Sequence, residues 1–186
     1  MLGYAFCGSF CTHAHALREL RSLLKEGYEI QPIMSDAVWS TDTRFGRARE
    51  LQQEVELLCG RPIIHTVLDA EPLGPEHSLE ALIISPCTGN TLAKLANGIT
   101  DTGVTMAAKA HLRRDRPLIL ALASNDALSA NLKNIATMLS RKCVYFVPMN
   151  QDDPEKKPHS LVADFSLLRP TLHAAFEGRQ FRKLFL

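Results

Sequence analysis

The sequence predicts a doubly wound α/β domain built on a mainly parallel sheet. Three observations predict it. Short segments apolar on both faces recur, among them Ala81-Leu82-Ile83-Ile84 and the run from Leu118 to Ala123, as central parallel strands require. They alternate with stretches whose apolar residues fall at helical spacing. Gly, Ser, Thr, Asn and Asp gather just after the apolar runs, where strands hand over to helices.

The elements follow in order. Leu2 to Cys7 is a first strand that ends in Gly8-Ser9. Leu17, Leu20, Leu23 and Leu24 predict a helix over 12–26, stopped by Gly27 as a C-terminal cap. Tyr28 to Met34 reads as the second strand, with the turn residues Ser35-Asp36 behind it. Leu51, Val55 and Leu58 mark an amphipathic helix over 47–59, closed by Gly60. Pro62 to Val67 reads as a short strand, and the prolines and glycine of 71–75 as a loop. Leu79 to Ser85 is the next strand, and helices are predicted over 90–97 and 102–113. Leu118 to Ala123 is a further buried strand, after which Ser124-Asn125-Asp126 opens a helix running to Arg141. Cys143 to Val147 is the last strand predicted. A charged, proline-bearing loop over 150–160 and a closing helix and tail over 161–186 complete the chain. No internal repeat, low-complexity segment or domain boundary stands out, so 1–186 reads as one domain.

Composition narrows the function classes. Of 186 residues, 46% are hydrophobic, enough to offset chain entropy and exclude a disordered chain. The 21 Lys and Arg against 20 Asp and Glu leave a net charge of +1, without the basic excess of a nucleic-acid module. Mean hydropathy is −0.05, and no apolar run approaches the roughly 20 residues that span a bilayer. Weak self-repulsion favours association with copies or partners. The start of the chain has no basic region before its apolar run and reads as a strand rather than a secretory signal, which predicts a cytoplasmic protein. Five scattered cysteines do not form a disulfide framework, and Cys7, Cys11, His13 and His15 are better read as small thiols and helix-start imidazoles than as a metal site.

In open α/β sheets ligands bind beyond the carboxyl ends of the strands. The residues placed there are Gly8 to Thr12, Ser35-Asp36, Ser85 to Thr91, Ser124 to Asp126 and Pro148 to Asn150. Hydroxyl and amide groups recur among them, suited to a ribityl chain, a phosphate or a flat heterocycle, and helix N-termini add N–H donors. Helix capping alone also explains such residues one at a time. No GxGxxG, GxxxxGK[ST] or GxSxG occurs, which removes the dinucleotide fingerprint, the P-loop and the hydrolase elbow.

Pro86, Thr88, Asn90, Thr91, Lys94, Gly98 and Asp101 fall gap-free on the pattern P-x-S/T-x-N-T-x-x-K-x-x-x-G-x-x-D. With Gly8-Ser9 this resembles the homo-oligomeric FMN-containing cysteine decarboxylase superfamily, and Pro148-Met149-Asn150 resembles its P-x-M-N element with one residue missing. Ser40 to Gly46, Glu71 to Pro75, Ser124 to Leu128 and Gln151 to Pro158 narrow the resemblance to the branch that holds the flavoprotein-like B subunit of dipicolinate synthase.

The resemblance implies a single three-layer, Rossmann-like or flavodoxin-type domain that assembles in trimer-based homo-oligomers. It implies an oxidoreductase subunit that works together with the A subunit of dipicolinate synthase, which resembles NAD(P)-binding dehydrogenases. The reaction would be oxidation of a dihydrodipicolinate-pathway intermediate to pyridine-2,6-dicarboxylate, in the mother cell of a sporulating bacterium. FMN would be held by Gly8, Ser9, Ser35, Ser85, Pro86, Thr88, Gly89, Asn90, Thr91 and Ser124. Gly8, Ser9 and Ser35 would take the ribityl chain and phosphate, and Thr88, Asn90 and Thr91 the phosphate or the ring. Gly89 would let a backbone approach the ligand closely. Arg44, Asn125, Asn150, Lys156 and Lys157 are the candidates for a dicarboxylate substrate, Lys156 and Lys157 on a loop that folds over the site. No metal is expected and no catalytic base stands out; His111 reads as a surface or interface residue. The decarboxylases' catalytic His has no counterpart in Glu71 to Pro75, and His77 is out of register. Another FMN enzyme, a decarboxylase or flavin prenyltransferase, and a non-catalytic flavin-fold scaffold remain alternatives. So does the choice of flavin or NAD(P) as hydride acceptor.

Overall fold

A computed structural model describes residues 1–74 and 79–186, so Pro75 and His77 lie outside the described residues. Eight helices and seven strands make up the described chain: β1 (Leu2–Phe6), α1 (His13–Lys25), β2 (Ile30–Met34), α2 (Asp36–Ser40), α3 (Ala48–Cys59), α4 (Val67–Ala70), β3 (Leu82–Thr88), α5 (Gly89–Ala96), α6 (Gly103–Leu112), β4 (Leu118–Ser124), α7 (Leu132–Leu139), β5 (Val144–Phe146), β6 (Met149–Asn150), β7 (Leu161–Ala163) and α8 (Leu168–Phe176). The seven strands form one sheet in the order β2-β1-β3-β4-β7-β6, with β5 also pairing β4. β1 to β5 run parallel, while β7 is antiparallel to both β4 and β6.

Alternation along β1 shows why the sheet is buried on both faces. Leu2, Tyr4 and Phe6 pack with Leu20 and Leu23 of α1, Val55 of α3, and Leu168 and Leu172 of α8. Ala5 and Cys7 face the other way, among Leu92 and Leu95 of α5, Val104 and Ala107 of α6, and Ile135 and Met138 of α7. The result is three layers, and each fully buried Leu, Ile or Phe contributes about 1.5–3 kcal/mol. Gly3 lies where a Cβ would come within 2.6 Å of Leu79 Cδ1 and 2.7 Å of Leu82 Cδ1, so a side chain there would have to displace both methyl groups. The Lys94–Asp101 ion pair (2.9 Å) straps α5 to the segment leading into α6, at a turn where Gly98 takes a left-handed φ of 71°.

Several expectations change. The strand expected at 62–67 is a single bridge, Ile33 to Ile64, and Val67–Ala70 is helical. The strand expected over 79–85 sits later, at Leu82–Thr88, with a register shift between Ile84 and Cys87. The helix expected from Ser124 starts only at Leu132, because the Asp126 carbonyl accepts from the N–H of Ser129 (3.1 Å) and Asn131 (3.0 Å) and holds the intervening residues in turns. β5 is not the last strand, since a hairpin of β6 and β7 extends the sheet and brackets the charged loop. Leu161–Ala163 is therefore strand rather than the start of the closing helix. His111 is not at the surface. It is 1% exposed and its Nε2 hydrogen-bonds the Pro117 carbonyl at 2.8 Å, which ties α6 to the start of β4.

Candidate functional site

The chain turns outward from β1 to β2, then crosses β1 to place β3 on its other side. That reversal opens a crevice at the carboxyl ends of β1 and β3, as doubly wound sheets do. A cavity of about 900 Å3 lies there, within the range of small-molecule sites. Its walls come from four segments: Gly8 to Thr12 after β1, Thr88 to Asn90 after β3, Ala123 to Asp126 after β4, and the hairpin residues Asn150, Asp152, Lys157 and 162–165.

The first wall is tightened by its own backbone. The Phe10 N–H donates to the Gly8 carbonyl (2.9 Å), and both the N–H and the hydroxyl of Thr12 donate to the Ser9 carbonyl. Below it His13 Nε2 bonds the Cys7 carbonyl at 2.8 Å, and burial holds this imidazole below its usual pKa. Burial also pushes the Cys7 thiol up to about 11, so it is no nucleophile.

At the second wall Thr88 is the N-cap of α5. Its Oγ1 accepts from the Thr91 N–H (3.1 Å) and donates to the Thr91 hydroxyl (3.0 Å). Thr91 is thereby turned into the fold, while Asn90 stays exposed on the crevice.

The third wall carries the most ordered polar group. The Ser124 hydroxyl donates to Asp126 Oδ1, and Asn131 Nδ2 donates to both carboxylate oxygens at 2.9 Å. Asn134 Nδ2 in turn donates to Asn131 Oδ1 at 2.8 Å. The Ser124 hydroxyl, then the Asn131 amide, hold the Asp126 carboxyl below the usual carboxylate range. A Cβ on Gly89 would lie 2.4 Å from Ser124 Oγ, 2.6 Å from Asn131 Nδ2 and 2.9 Å from Asp126 Oδ1. The Cβ side of Gly89 is thus filled by the chain's own polar network, while its backbone still lines the crevice.

The fourth wall is ionic. Lys157 Nζ pairs with Asp152 at 2.6 Å, and this contact lowers the Asp152 pKa and raises that of Lys157. The loop is folded on itself: Lys157 N–H donates to the Asp153 carbonyl (2.8 Å) and Gln151 Nε2 to the Pro158 carbonyl (2.9 Å).

Of the residues singled out from sequence, Gly8, Ser9, Thr88, Gly89, Asn90, Ser124, Asn125, Asn150 and Lys157 line the crevice together. Others stand apart from it. Ser85 is fully buried, Pro86 lies in the β3 register shift, and Thr91 is tucked behind Thr88. Ser35 follows β2, its hydroxyl oxygen buried without a hydrogen-bond partner among the described residues. Arg44 lies over the Phe45 ring (4.8 Å), and Lys156 is exposed near Asp153 (4.0 Å). Sequence reasoning placed Asp126 at the end of β4 but gave it no role, and it missed His15 and Phe165 as crevice residues; the rings of the last two stack at 5.8 Å. The role of Asp126 becomes visible only with Asn131 and Asn134, two amides that hold its carboxylate in place. Among the described residues no group of three or more His, Cys, Asp or Glu side chains is placed to hold a metal, and no helix is long and apolar enough to cross a membrane.

A doubly wound sheet with a polar crevice at its switch point places the chain among α/β ligand-binding proteins, and it belongs to the Flavoprotein family, with residues 2–161 matched. Within that family the likeness is to the B subunit of dipicolinate synthase. The protein of that name from Bacillus subtilis (strain 168) is 41% identical over 183 residues, covering 98% of this chain and 92% of the relative. The crystal structure of the corresponding dipicolinate synthase protein from Bacillus halodurans C superposes with a TM-score of 0.91 at 37% identity, covering 100% of this chain and 95% of that one. An FMN-dependent cysteine decarboxylase shares the fold alone, with a TM-score of 0.66 at 23% identity over 94% of this chain and 95% of that one.

Proposed function

We propose that this chain is the flavin-fold subunit of a dipicolinate-forming enzyme, and that its crevice binds FMN. The observation that carries the reading is likeness over nearly the full length to the B subunit of dipicolinate synthase, at 41% identity over 98% of the chain. The residues present fit the cofactor. The crevice offers neutral donors from Ser9, Asn90 and Asn125, and the orphaned Ser35 hydroxyl waits at the end of β2 for a partner. FMN, when bound, supplies two-electron redox chemistry.

This chain's own residues bind and orient. Gly8 and Ser9 would hold the ribityl chain and phosphate, and Ser35, whose hydroxyl is buried outside the crevice lining, would join them only through a local rearrangement. Thr88 and Asn90, with Ser124, would line the ring. Lys157, Asn125 and Asn150 would meet the carboxylates of a dicarboxylate intermediate on its way to pyridine-2,6-dicarboxylate. Arg44 and Lys156 stand outside the crevice and would reach the substrate only through loop movement. No residue is assigned as a catalytic base.

The partner would be the dehydrogenase-like A subunit, which brings NAD(P), in the cytoplasm of a sporulating mother cell. The chain itself would assemble as a trimer-based homo-oligomer. One relative of this fold is described as a dodecameric FMN-dependent decarboxylase. The test is flavin titration of the purified chain, with the dehydrogenase-like partner present or omitted, alongside assay of dipicolinate formation. Saturable FMN uptake and activity dependent on both proteins support the reading. A chain that takes up no FMN in either setting, yet is required for activity, replaces it with the scaffold reading.

A further inference from the structure

The charged side chains of the crevice differ in their partners. On the hairpin wall Lys157 is paired with Asp152 at 2.6 Å. Asp126, after β4, is held by neutral donors alone and pairs with no cation among the described residues. We propose that Asp126 is the specificity-determining residue of the crevice: a preoriented carboxylate that accepts a hydrogen bond from the N–H edge of a bound flavin ring and keeps the flavin's phosphate away from α5. The inference rests on the FMN reading and adds the residue that sets the cofactor's direction.

Three features carry it. First, the carboxylate is held in one orientation. Ser124 and Asn131 fill three of its acceptor positions, and Asn134 fixes Asn131 from behind. A carboxylate has about four such positions, so acceptor capacity remains toward the crevice. Second, its Oδ1 lies 2.9 Å from the Cβ position of Gly89, the first residue of α5. A helix N-terminus in such a crevice ordinarily attracts a ligand's phosphate. Here an internal anion already stands against it, and a second anion would meet like charge. Third, an ionised carboxylate is an acceptor only, so its ligand partner must be a donor. The oxidised flavin ring has a single N–H, at N3 of its pyrimidine edge. The phosphate is then left to the Gly8–Thr12 and Lys157 end.

The test compares FMN with its N3-methyl analogue, which lacks that donor. Wild-type chain, Asp126→Asn and Ser124→Ala are titrated with each flavin by fluorescence quenching, and thermal melting checks folding. A hydrogen bond to a charged acceptor predicts that methylation weakens wild-type binding by roughly 10- to 100-fold. Asp126→Asn keeps a neutral acceptor, so its preference for FMN should shrink to about fivefold or less, and Ser124→Ala, which keeps the charge but loosens its aim, should fall between. Equal wild-type affinity for both flavins overturns the role of Asp126 and leaves FMN binding standing. Discrimination as large in Asp126→Asn as in the wild type does the same. Absence of flavin uptake by the wild type overturns the FMN reading and this inference with it. Should Asp126→Asn fail to fold, the wild-type and Ser124→Ala comparison decides.

Discussion

The two long walls of the crevice are built on opposite plans. The wall after β3 and β4 is a buried hydrogen-bond network, in which Ser124, Asp126, Asn131 and Asn134 interlock against a glycine with no room for one more carbon. The hairpin wall is a set of exposed ion pairs, Lys157 with Asp152 and Lys156 with Asp153. Low-dielectric networks lose heavily when one member is removed, whereas solvated pairs lose little. The difference teaches that stability and ligand geometry are stored in one wall and ligand attraction in the other.

The sharpest way to break that contrast is Gly89→Ala. The new methyl must displace Ser124 or Asn131, and overpacking of this kind costs about 1–3 kcal/mol. Urea unfolding should show the loss, and flavin titration a further drop in affinity; an unchanged midpoint would mean that the wall is not close-packed. Next comes Asn131→Ala, which leaves the Asp126 carboxylate and the Asn134 amide short of a partner. About 1–3 kcal/mol of destabilisation is expected, with the Asp126 carboxyl titrating higher by NMR.

A third prediction concerns pH. His13 beneath the crevice and His111 under the sheet are both held neutral by burial, below their ordinary value of 6.5. The unfolded chain therefore binds more protons than the folded one, and stability must fall as pH drops below about 6.5. Denaturation midpoints at neutral and mildly acidic pH check this, and His111→Gln should flatten the slope. Asp126 adds to the same trend at lower pH, since its depressed pKa contributes stability that is lost as the carboxylate is protonated. The smallest effects on folding belong to the hairpin. Lys157→Ala should leave the urea midpoint almost unchanged, because a solvated pair contributes little, while weakening dicarboxylate binding severalfold. Lys156→Ala, outside the crevice, should change neither, and calorimetric titration separates the two.

The parallel half of the sheet was legible because its strands are continuous apolar runs. Leu118 to Ser124 is buried throughout, as its composition announces. The hairpin was not legible: β6 and β7 have two and three residues, too short for any period, and they flank a proline-bearing, charged loop. The crevice was readable as a position, the set of strand ends, but not as a geometry. Ser124-Asn125-Asp126 looks like a helix cap in sequence. In space the same residues bend the chain away from helix and aim a carboxylate, because Asn131 returns to them from five positions on. Likewise nothing in the spacing of Thr88 and Thr91 tells that the second hydroxyl is consumed by the first.

One edge of β4 is shared end to end by two strands. Leu118 to Leu120 pair with β5, and Ala123 and Ser124 pair with β7. The sheet therefore carries a built-in seam. The two rungs to β7 and the three to β5 are separate ladders, so loss of the first would leave the second, and the floor of the crevice, in place. Amide exchange should report that seam as two rates along one edge of β4, fast in β7 at Leu161–Ala163 and slow in β5 at Val144–Phe146.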